Sequence, residues 1–190
     1  MKRKPNPVHF LAAAALTLAG KGGWDSVTPE KLAKAAKAPV KAAAEFLAEP
    51  AKTMAGIADF ITDETLKDYR HDNGNAPREA LFDVTMLRFD MLQRYRAGIS
   101  ALFSAAMRQP RLSCAILRAL RPALKNMMHA ARIDVSSAAG EFKLAGMGIV
   151  YLAAFMAWRR DDTPDLARTM GSLDRRLRQA ENIMQNMKHT

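Results

Sequence analysis

The stretch "GWDSVTPEKLAKAAKAPVKAAAEFLAEP" runs from Gly23 to Pro50 and carries clear helix signals. Its Thr28-Pro29-Glu30 is a typical helix start, with a threonine cap, a proline in the first helical position and an acid in the first turn. That helix is short and ends near Ala36. A turn over 37–39 then leads into a second short helix over 40–47. The pattern predicts two short helices joined by a tight turn, packed closely through small alanines.

The composition of the whole chain predicts an all-α protein. About half of the 190 residues are apolar, and only 10 are glycine. Alanine, leucine, methionine, lysine and arginine dominate, and they favour helices over sheets. The single cysteine, Cys114, excludes a disulfide within one chain. We expect it to be a small buried hydrophobic residue on a helix.

Positive charge is concentrated at the N-terminus. The chain has a net charge of +10, and residues 1–41 account for +6, with eight basic residues against two acidic ones. Such a segment suits a polyanionic partner, which would be DNA, RNA or an anionic membrane surface. Solvated helix faces would produce the same charge pattern, so composition alone leaves that alternative open.

Two apolar segments raise the question of membrane targeting. "MKRKPNPVHFLAAAALTLAG", residues 1–20, resembles a signal peptide, but Pro5 and Pro7 separate its charges from its apolar run. We interpret it as a folded helix of a cytoplasmic protein. The run Leu144–Trp158 is expected to be too short to span a bilayer, so no transmembrane segment is predicted.

Helices fill the rest of the chain. The polar stretch Arg70–Pro77 is the clearest linker. Long apolar helices follow it, and the last is expected to start with Thr163 as its cap and Pro164 in the first position. We place the functional division between a head, residues 1–52, with a basic N-terminal arm, and a ligand-binding and dimerisation body, residues 53–190.

The last helix carries a regular apolar seam with alternating spacings of four and three residues. Such a seam packs either against the core of its own chain or against a partner helix. Small residues on the preceding helix favour a four-helix interface between two copies, and hence a homodimer. The predicted interface comprises Ala153, Ala157, Leu166, Met170, Leu173, Leu177 and Met184.

The first half of the chain resembles the TetR family of bacterial transcriptional regulators. The matching stretch is "GKGGWDSVTPEKLAKAAKAP", Gly20 to Pro39, which has a Gly-aromatic pair, a capping threonine and an Ala-x-Ala-Ala run. The resemblance implies a TetR-like fold, with an N-terminal helix-turn-helix head on a larger C-terminal helical body. It also implies a homodimer that binds a palindromic operator in DNA, with the second short helix as recognition helix.

This chain departs from the family pattern at the turn and on the recognition helix. Lys37 stands where the family usually has glycine, at a left-handed position that costs a side chain on the order of 1 kcal/mol. Pro39 replaces the usual Ser/Thr cap, and Ala44 replaces a tyrosine that often touches phosphate. The head is therefore poor in groups that read bases. The predicted DNA-binding residues are Lys2, Arg3, Lys4, Thr28, Lys34, Lys37, Val40, Lys41, Ala44 and Lys52.

The second half resembles the coenzyme Q biosynthesis accessory proteins, which have a TetR-like fold and bind lipid rather than DNA. The similar stretches are "WRRDDTPDLARTMGSLDRRLRQAENIM", Trp158 to Met184, and "DMLQRYRAGISAL", Asp90 to Leu102. The eukaryotic members add an amphipathic helix for membrane contact, and we do not expect that helix here. The resemblance implies a lipid-binding accessory protein of ubiquinone biosynthesis as the alternative function.

No catalytic site, metal site or cofactor is predicted, and the chain is not expected to be an enzyme. The four histidines are far apart, and the Asp161-Asp162 pair favours a helix cap over a metal. Methionines and aromatic residues on the later helices predict a pocket for a small hydrophobic ligand, with a closed core as an equal alternative. Its predicted lining is Phe82, Met86, Phe89, Met107, Leu117, Met127, Tyr151, Phe155 and Trp158.

Overall fold

A computed structural model of the chain describes residues 6–72 and 74–188, with side chains as far as Met184. Over these residues the chain forms nine α-helices and a 3-10 turn at Trp24–Ser26, with no strand, which confirms the all-α fold. The helices are α1 Pro7–Gly22, α2 Pro29–Ala36, α3 Val40–Leu47, α4 Pro50–Asp68, α5 Pro77–Arg94, α6 Arg96–Ala106, α7 Pro110–Ala130, α8 Ala138–Trp158 and α9 Ala167–Lys188.

The helices form two compact units. Of the described residues, unit 1 comprises 6–64 and 91–123, and unit 2 comprises 65–72, 74–90 and 124–188. Helices α4, α5 and α7 contribute to both units because each crosses a boundary between them. The functional division at residue 52 stays a prediction.

Unit 1 is built on the close approach of α1 and α6. The alanine-rich face of α1 is buried, and Ala12 and Ala15 are both fully inaccessible. On α6, a Cβ added at Gly98 would lie 2.0 Å from the Leu16 carbonyl oxygen. Only glycine allows the two backbones to come this close. The sequence places these small residues together because a larger side chain would force the helices apart.

Unit 2 is organised around large buried side chains and the pairing of α8 with α9. Phe89, Met127 and Trp158 are fully buried, as is Leu173 on α9. The backbone of Val135 closes on the start of α8, since a Cβ at Gly140 would lie 2.5 Å from the Val135 Cα. The Ser137 side chain caps α8 by accepting a hydrogen bond from the Gly140 N–H.

The predicted start of the last helix was wrong by three residues. Helix α9 begins at Ala167, and the preceding Leu166 adopts a left-handed φ of 54°. Thr163 does not cap a helix that starts at Pro164, but its hydroxyl accepts a hydrogen bond from the Ala167 N–H at 2.9 Å. A turn over 163–166 therefore lies between the predicted cap and the helix, which the Thr-Pro signal alone could not reveal.

Asp161 stabilises this turn and the first turn of α9, as the capping interpretation predicts. Its buried carboxylate accepts hydrogen bonds from the backbone N–H and the hydroxyl of both Thr163 and Thr169. Burial raises the pKa of Asp161, but these hydrogen bonds outweigh it and lower the pKa to about 2. Among the described residues, no group of three or more His, Cys, Asp or Glu side chains could hold a metal ion.

Two further expectations were wrong. The run Leu144–Trp158, expected to be too short to span a bilayer, is part of the 21-residue helix α8. This helix is long enough and, with a mean hydropathy of 1.3 over its most apolar window, apolar enough to cross a membrane. One such helix is weak evidence for a span, because the core helix of a soluble protein passes the same test.

Cys114 is exposed rather than buried, because it lies on the outward face of α7.

Candidate nucleic-acid interface

The two short helices of unit 1 form a compact pair on α1. Leu32 and Ala33 on α2, with Ala43 and Phe46 on α3, are buried. The Thr53 hydroxyl of α4 donates a hydrogen bond to the Phe46 carbonyl at 2.6 Å and so attaches the end of α3 to the next helix. The inward side chains fix the orientation of α3, so its opposite face is available for binding.

The turn between α2 and α3 has the conformation that the sequence predicts. Lys37 adopts φ 51° and ψ 43°, and its N–H donates to the Ala33 carbonyl as a left-handed helix cap. Pro39 precedes α3 without a side-chain cap. The left-handed conformation costs free energy for lysine that glycine would avoid. An exposed lysine here supplies a positive charge in return.

The outward face of the pair is basic but offers few base-reading groups. Val40 is 51% exposed, and Lys41, Ala44 and Glu45 are exposed beside it on α3. Lys34 and Lys37 are exposed next to this face. The lysines can neutralise phosphates, and Val40 can contact a thymine methyl group, whereas the face has no side-chain amide for adenine.

The N-terminus of α2, where Thr28 is a predicted DNA contact, also carries an acidic side chain. The half-buried Thr28 accepts a hydrogen bond from the Lys31 N–H at 3.4 Å. Hydrogen bonds from its own backbone N–H and from Thr28 lower the pKa of Glu30, so its negative charge persists at this helix end. A phosphate approaching Thr28 would meet that charge.

The remaining predicted DNA contacts fall into two groups. Lys52 is exposed, but its Nζ lies 2.7 Å from Glu49 Oε1, so the ion pair partly neutralises its charge. Lys2, Arg3 and Lys4 lie outside the described residues. Lys34, Lys37, Val40, Lys41 and Ala44 are all exposed on the α2–α3 pair, and the last three lie on one side of α3.

The predicted ligand pocket is largely occupied by its own aromatic rings. Phe89 stacks on Tyr151 with ring centroids 5.4 Å apart, and Trp158 lies 6.4 Å from Phe89. Phe155 stacks on Trp158 at 5.4 Å. The buried Arg88 donates from Nε to the Tyr151 hydroxyl at 3.0 Å, so this cluster contains a polar group as well.

Two residues of the predicted lining do not belong to it. Met107 is 71% exposed and Leu117 is 54% exposed, because Met107 follows the end of α6 and Leu117 lies on the outward face of α7. Met127 is fully buried, while Phe82 and Met86 are half-buried.

A surface depression of about 420 Å³ lies in unit 2 and shares only Met86 with the predicted pocket. Its other lining residues are Asp68, Tyr69, Arg70, Asp83, Leu87 and Asp90. Burial and the nearby charge of Asp83 raise the pKa of Tyr69, and the charge of Arg132 opposes that rise. This depression is rich in carboxylates and differs in character from the apolar pocket that the sequence predicts.

The predicted dimer residues divide between core and surface. Leu166, Leu173 and Leu177 are buried within their own chain, so a second copy cannot contact them; their assignment to a dimer interface was wrong. They face inward because α9 packs on α8 through this seam. Met170 is 40% exposed, and Ala153, Ala157 and Met184 are half-buried.

An exposed apolar stripe on α8 was missed by the sequence reasoning. Phe142, Ile149, Leu152 and Met156 recur at helical spacing and are 53%, 71%, 42% and 38% exposed. A Cβ added at Gly146, on the same helix, would meet no atom within 4 Å. Helix α8 is apolar all round, so its periodicity gave no signal for which face is covered.

Solved structures of other proteins share this fold. No family model matches the sequence, and no curated protein matches it. The fold is similar to that of a TetR transcriptional regulator from Nitrosomonas europaea ATCC 19718, with a TM-score of 0.71 and 16% identity over 93% of this chain and 99% of that one. A TetR transcriptional regulator from Rhodococcus sp. RHA1 matches with a TM-score of 0.56 and 19% identity, over 92% of this chain and 95% of that one.

At these identities the matches establish the fold, which is TetR-like, as the resemblance in the first half of the sequence implies. The similarity to the coenzyme Q accessory proteins is not shown by these comparisons.

Proposed function

We propose that this chain is a TetR-type transcriptional regulator that binds operator DNA as a homodimer in the cytoplasm. The observation that carries the proposal is the left-handed turn at Lys37, which sets α3 with its face of Val40, Lys41 and Ala44 exposed. Lys34 and Lys37 are exposed on the same helix pair. A helix-turn-helix places an exposed second helix of this kind in the major groove.

Binding through this surface draws its affinity mainly from phosphates. Lys41 is the one long hydrogen-bond donor on α3, and Glu45 repels the backbone unless it accepts from a cytosine amino group. Each phosphate contact contributes a slope of roughly −0.9 in log affinity against log salt. Specificity is therefore modest and depends on the shape of the DNA as well as on base contacts.

We propose that the homodimer forms through the α8 stripe, Phe142, Ile149, Leu152 and Met156, together with the exposed Met170 on α9. Exposed apolar patches of this kind mark interaction surfaces. A two-fold interface brings the same stripe of each copy together, and two heads then bind two halves of a palindromic operator.

A small hydrophobic ligand that tunes DNA binding would act on the aromatic cluster of unit 2. Phe82, Met86 and Phe155 are half-buried at its edge, and Phe89, Tyr151 and Trp158 fill its interior. A ligand must move these rings, so its binding would stabilise a rearranged cluster. Added hydrophobic compounds should then raise the melting temperature and change operator affinity together.

A selection from genomic fragments followed by a gel-shift titration tests the function. The wild type should retain specific fragments at about 100 mM salt, and Lys41→Ala should weaken binding and flatten the salt slope by about one unit per subunit. Lys67→Ala removes the same charge from unit 2 and serves as the control.

If no fragment is retained while hydrophobic lipid co-purifies with the protein, the head is only scaffold. The alternative, a lipid-binding accessory protein of ubiquinone biosynthesis without DNA binding, would then replace the regulator.

A further inference from the structure

Helix α7 carries a second basic surface, separate from the α2–α3 pair. Its 21 residues include Arg111, Arg118, Arg121 and Lys125 and no acidic residue. These side chains are all exposed, and the three arginines, which belong to unit 1, lie within an arc of roughly 80° of the helix, beside the buried Leu112, Ala115 and Ala119. At a rise of 1.5 Å per residue, Arg111 to Arg121 extend over roughly 15 Å.

Two arginines of this face, Arg111 and Arg118, are not neutralised by the described part of the protein. At the N-terminal end of the face, Asp25 pairs with Arg108 at 3.1 Å and also accepts from Gln109. Among the described residues, Arg111 and Arg118 form no ion pair or hydrogen bond. Their charges are therefore available to an external anion.

An exposed apolar side chain borders these cations. Leu117, which precedes Arg118 on α7, is 54% exposed. The exposed Cys114 precedes Leu117 by three residues on the same side of the helix. The charged phosphates of a nucleic-acid backbone do not bind such residues, whereas the boundary between lipid headgroups and acyl chains accommodates them.

We propose that the α7 face, defined by Arg111, Cys114, Leu117 and Arg118, docks on an anionic phospholipid surface. The arginines bind lipid phosphates, and Leu117 inserts shallowly. The buried side of α7 stays packed in the protein core, so the whole folded protein binds peripherally. The proposal is independent of DNA binding by the head, because the two surfaces use different side chains.

The native cysteine allows a direct test with the full-length protein. An environment-sensitive fluorophore on Cys114 should shift to the blue with vesicles containing about 30% phosphatidylglycerol and remain unchanged with pure phosphatidylcholine. Binding should be lost at about 0.5 M salt, because screening shortens the range of the charges.

Matched variants separate the face from net charge. Arg111→Gln with Arg118→Gln should weaken vesicle binding by roughly 25-fold, at about fivefold per arginine. Arg175→Gln with Arg176→Gln removes the same charge from exposed positions on α9 and should leave binding within about twofold. Leu117→Ser should weaken binding several-fold without changing its salt dependence, and it is safe for folding because the side chain is exposed.

Three results would overturn the proposal. The first is equal binding to anionic and neutral vesicles, and the second is an equal loss in both double-arginine variants. The third is a non-operator DNA duplex that releases the protein from vesicles and itself shifts the Cys114 fluorophore, which would assign the face to nucleic acid. The variant Arg111→Gln with Arg118→Gln should still bind operator DNA. Failure of the membrane proposal would therefore leave the proposed function of the head intact.

Discussion

Replacement of Lys37 by glycine should move stability and DNA affinity in opposite directions. Lys37 is held at φ 51° and ψ 43°, where a side chain costs about 1 kcal/mol relative to glycine. Lys37→Gly removes this cost and should raise the free energy of unfolding by about that amount. For a chain of this size the melting temperature should rise by roughly 2–4 °C.

The same substitution removes an exposed cation from the proposed DNA surface. One phosphate contact corresponds to a slope of about −0.9, so its loss in both subunits reduces the salt dependence by about 1.8. Between 50 and 200 mM salt, roughly a 12-fold smaller fall in affinity is expected for the variant than for the wild type. Thermal unfolding and a gel-shift titration at several salt concentrations measure the two effects.

Lys37→Ala provides the matched comparison. It removes the charge but keeps the Cβ in the left-handed conformation, so it should weaken DNA binding as much as Lys37→Gly without stabilising the fold. An unchanged salt slope in both variants would show that Lys37 makes no phosphate contact. Equal melting temperatures for the two variants would refute the strained left-handed turn.

Three further predictions concern packing, pH and assembly. Gly98→Ala should destabilise the protein by about 2–3 kcal/mol in chemical denaturation, because its Cβ would lie 2.0 Å from the Leu16 carbonyl oxygen; Gly146→Ala, with open space, should be neutral or slightly stabilising. The lowered pKa of Asp161, about 2, adds stability that is fully present above about pH 4 and is lost as the pH falls through 2. The unfolding free energy of Asp161→Asn should therefore fall less steeply with decreasing pH than that of the wild type. Equal pH dependence in the two proteins would contradict the role given to Asp161. Ile149→Glu should give folded monomers in sedimentation at micromolar concentration, and a dimer of unchanged stability would exclude the α8 stripe as the interface.

The helix cap and the turn of the α2–α3 pair could be predicted from the sequence. The Thr28 cap, the proline at the start of α2 and the left-handed residue at Lys37 are all present where the pattern places them. Each depends on a few neighbouring residues, so the sequence contains the necessary information. The start of α9 could not be predicted in the same way, because Asp161 and Leu166 arrange a turn through hydrogen bonds that span eight residues.

The helical character of the chain, its basic first quarter and the two short helices around a tight turn could be predicted without a structure, because propensity, charge and capping are local properties. The TetR-like head was implied by the resemblance. Which apolar residues are covered depends instead on tertiary packing. Leu173 and Ile149 are similar in hydrophobicity, yet α9 buries the first against α8 while the second is 71% exposed. Likewise, Leu117 was predicted to line a pocket and lies instead on the outside of α7. The face of an apolar helix that becomes buried depends on how its neighbours pack, and that packing is settled by contacts between residues distant in sequence.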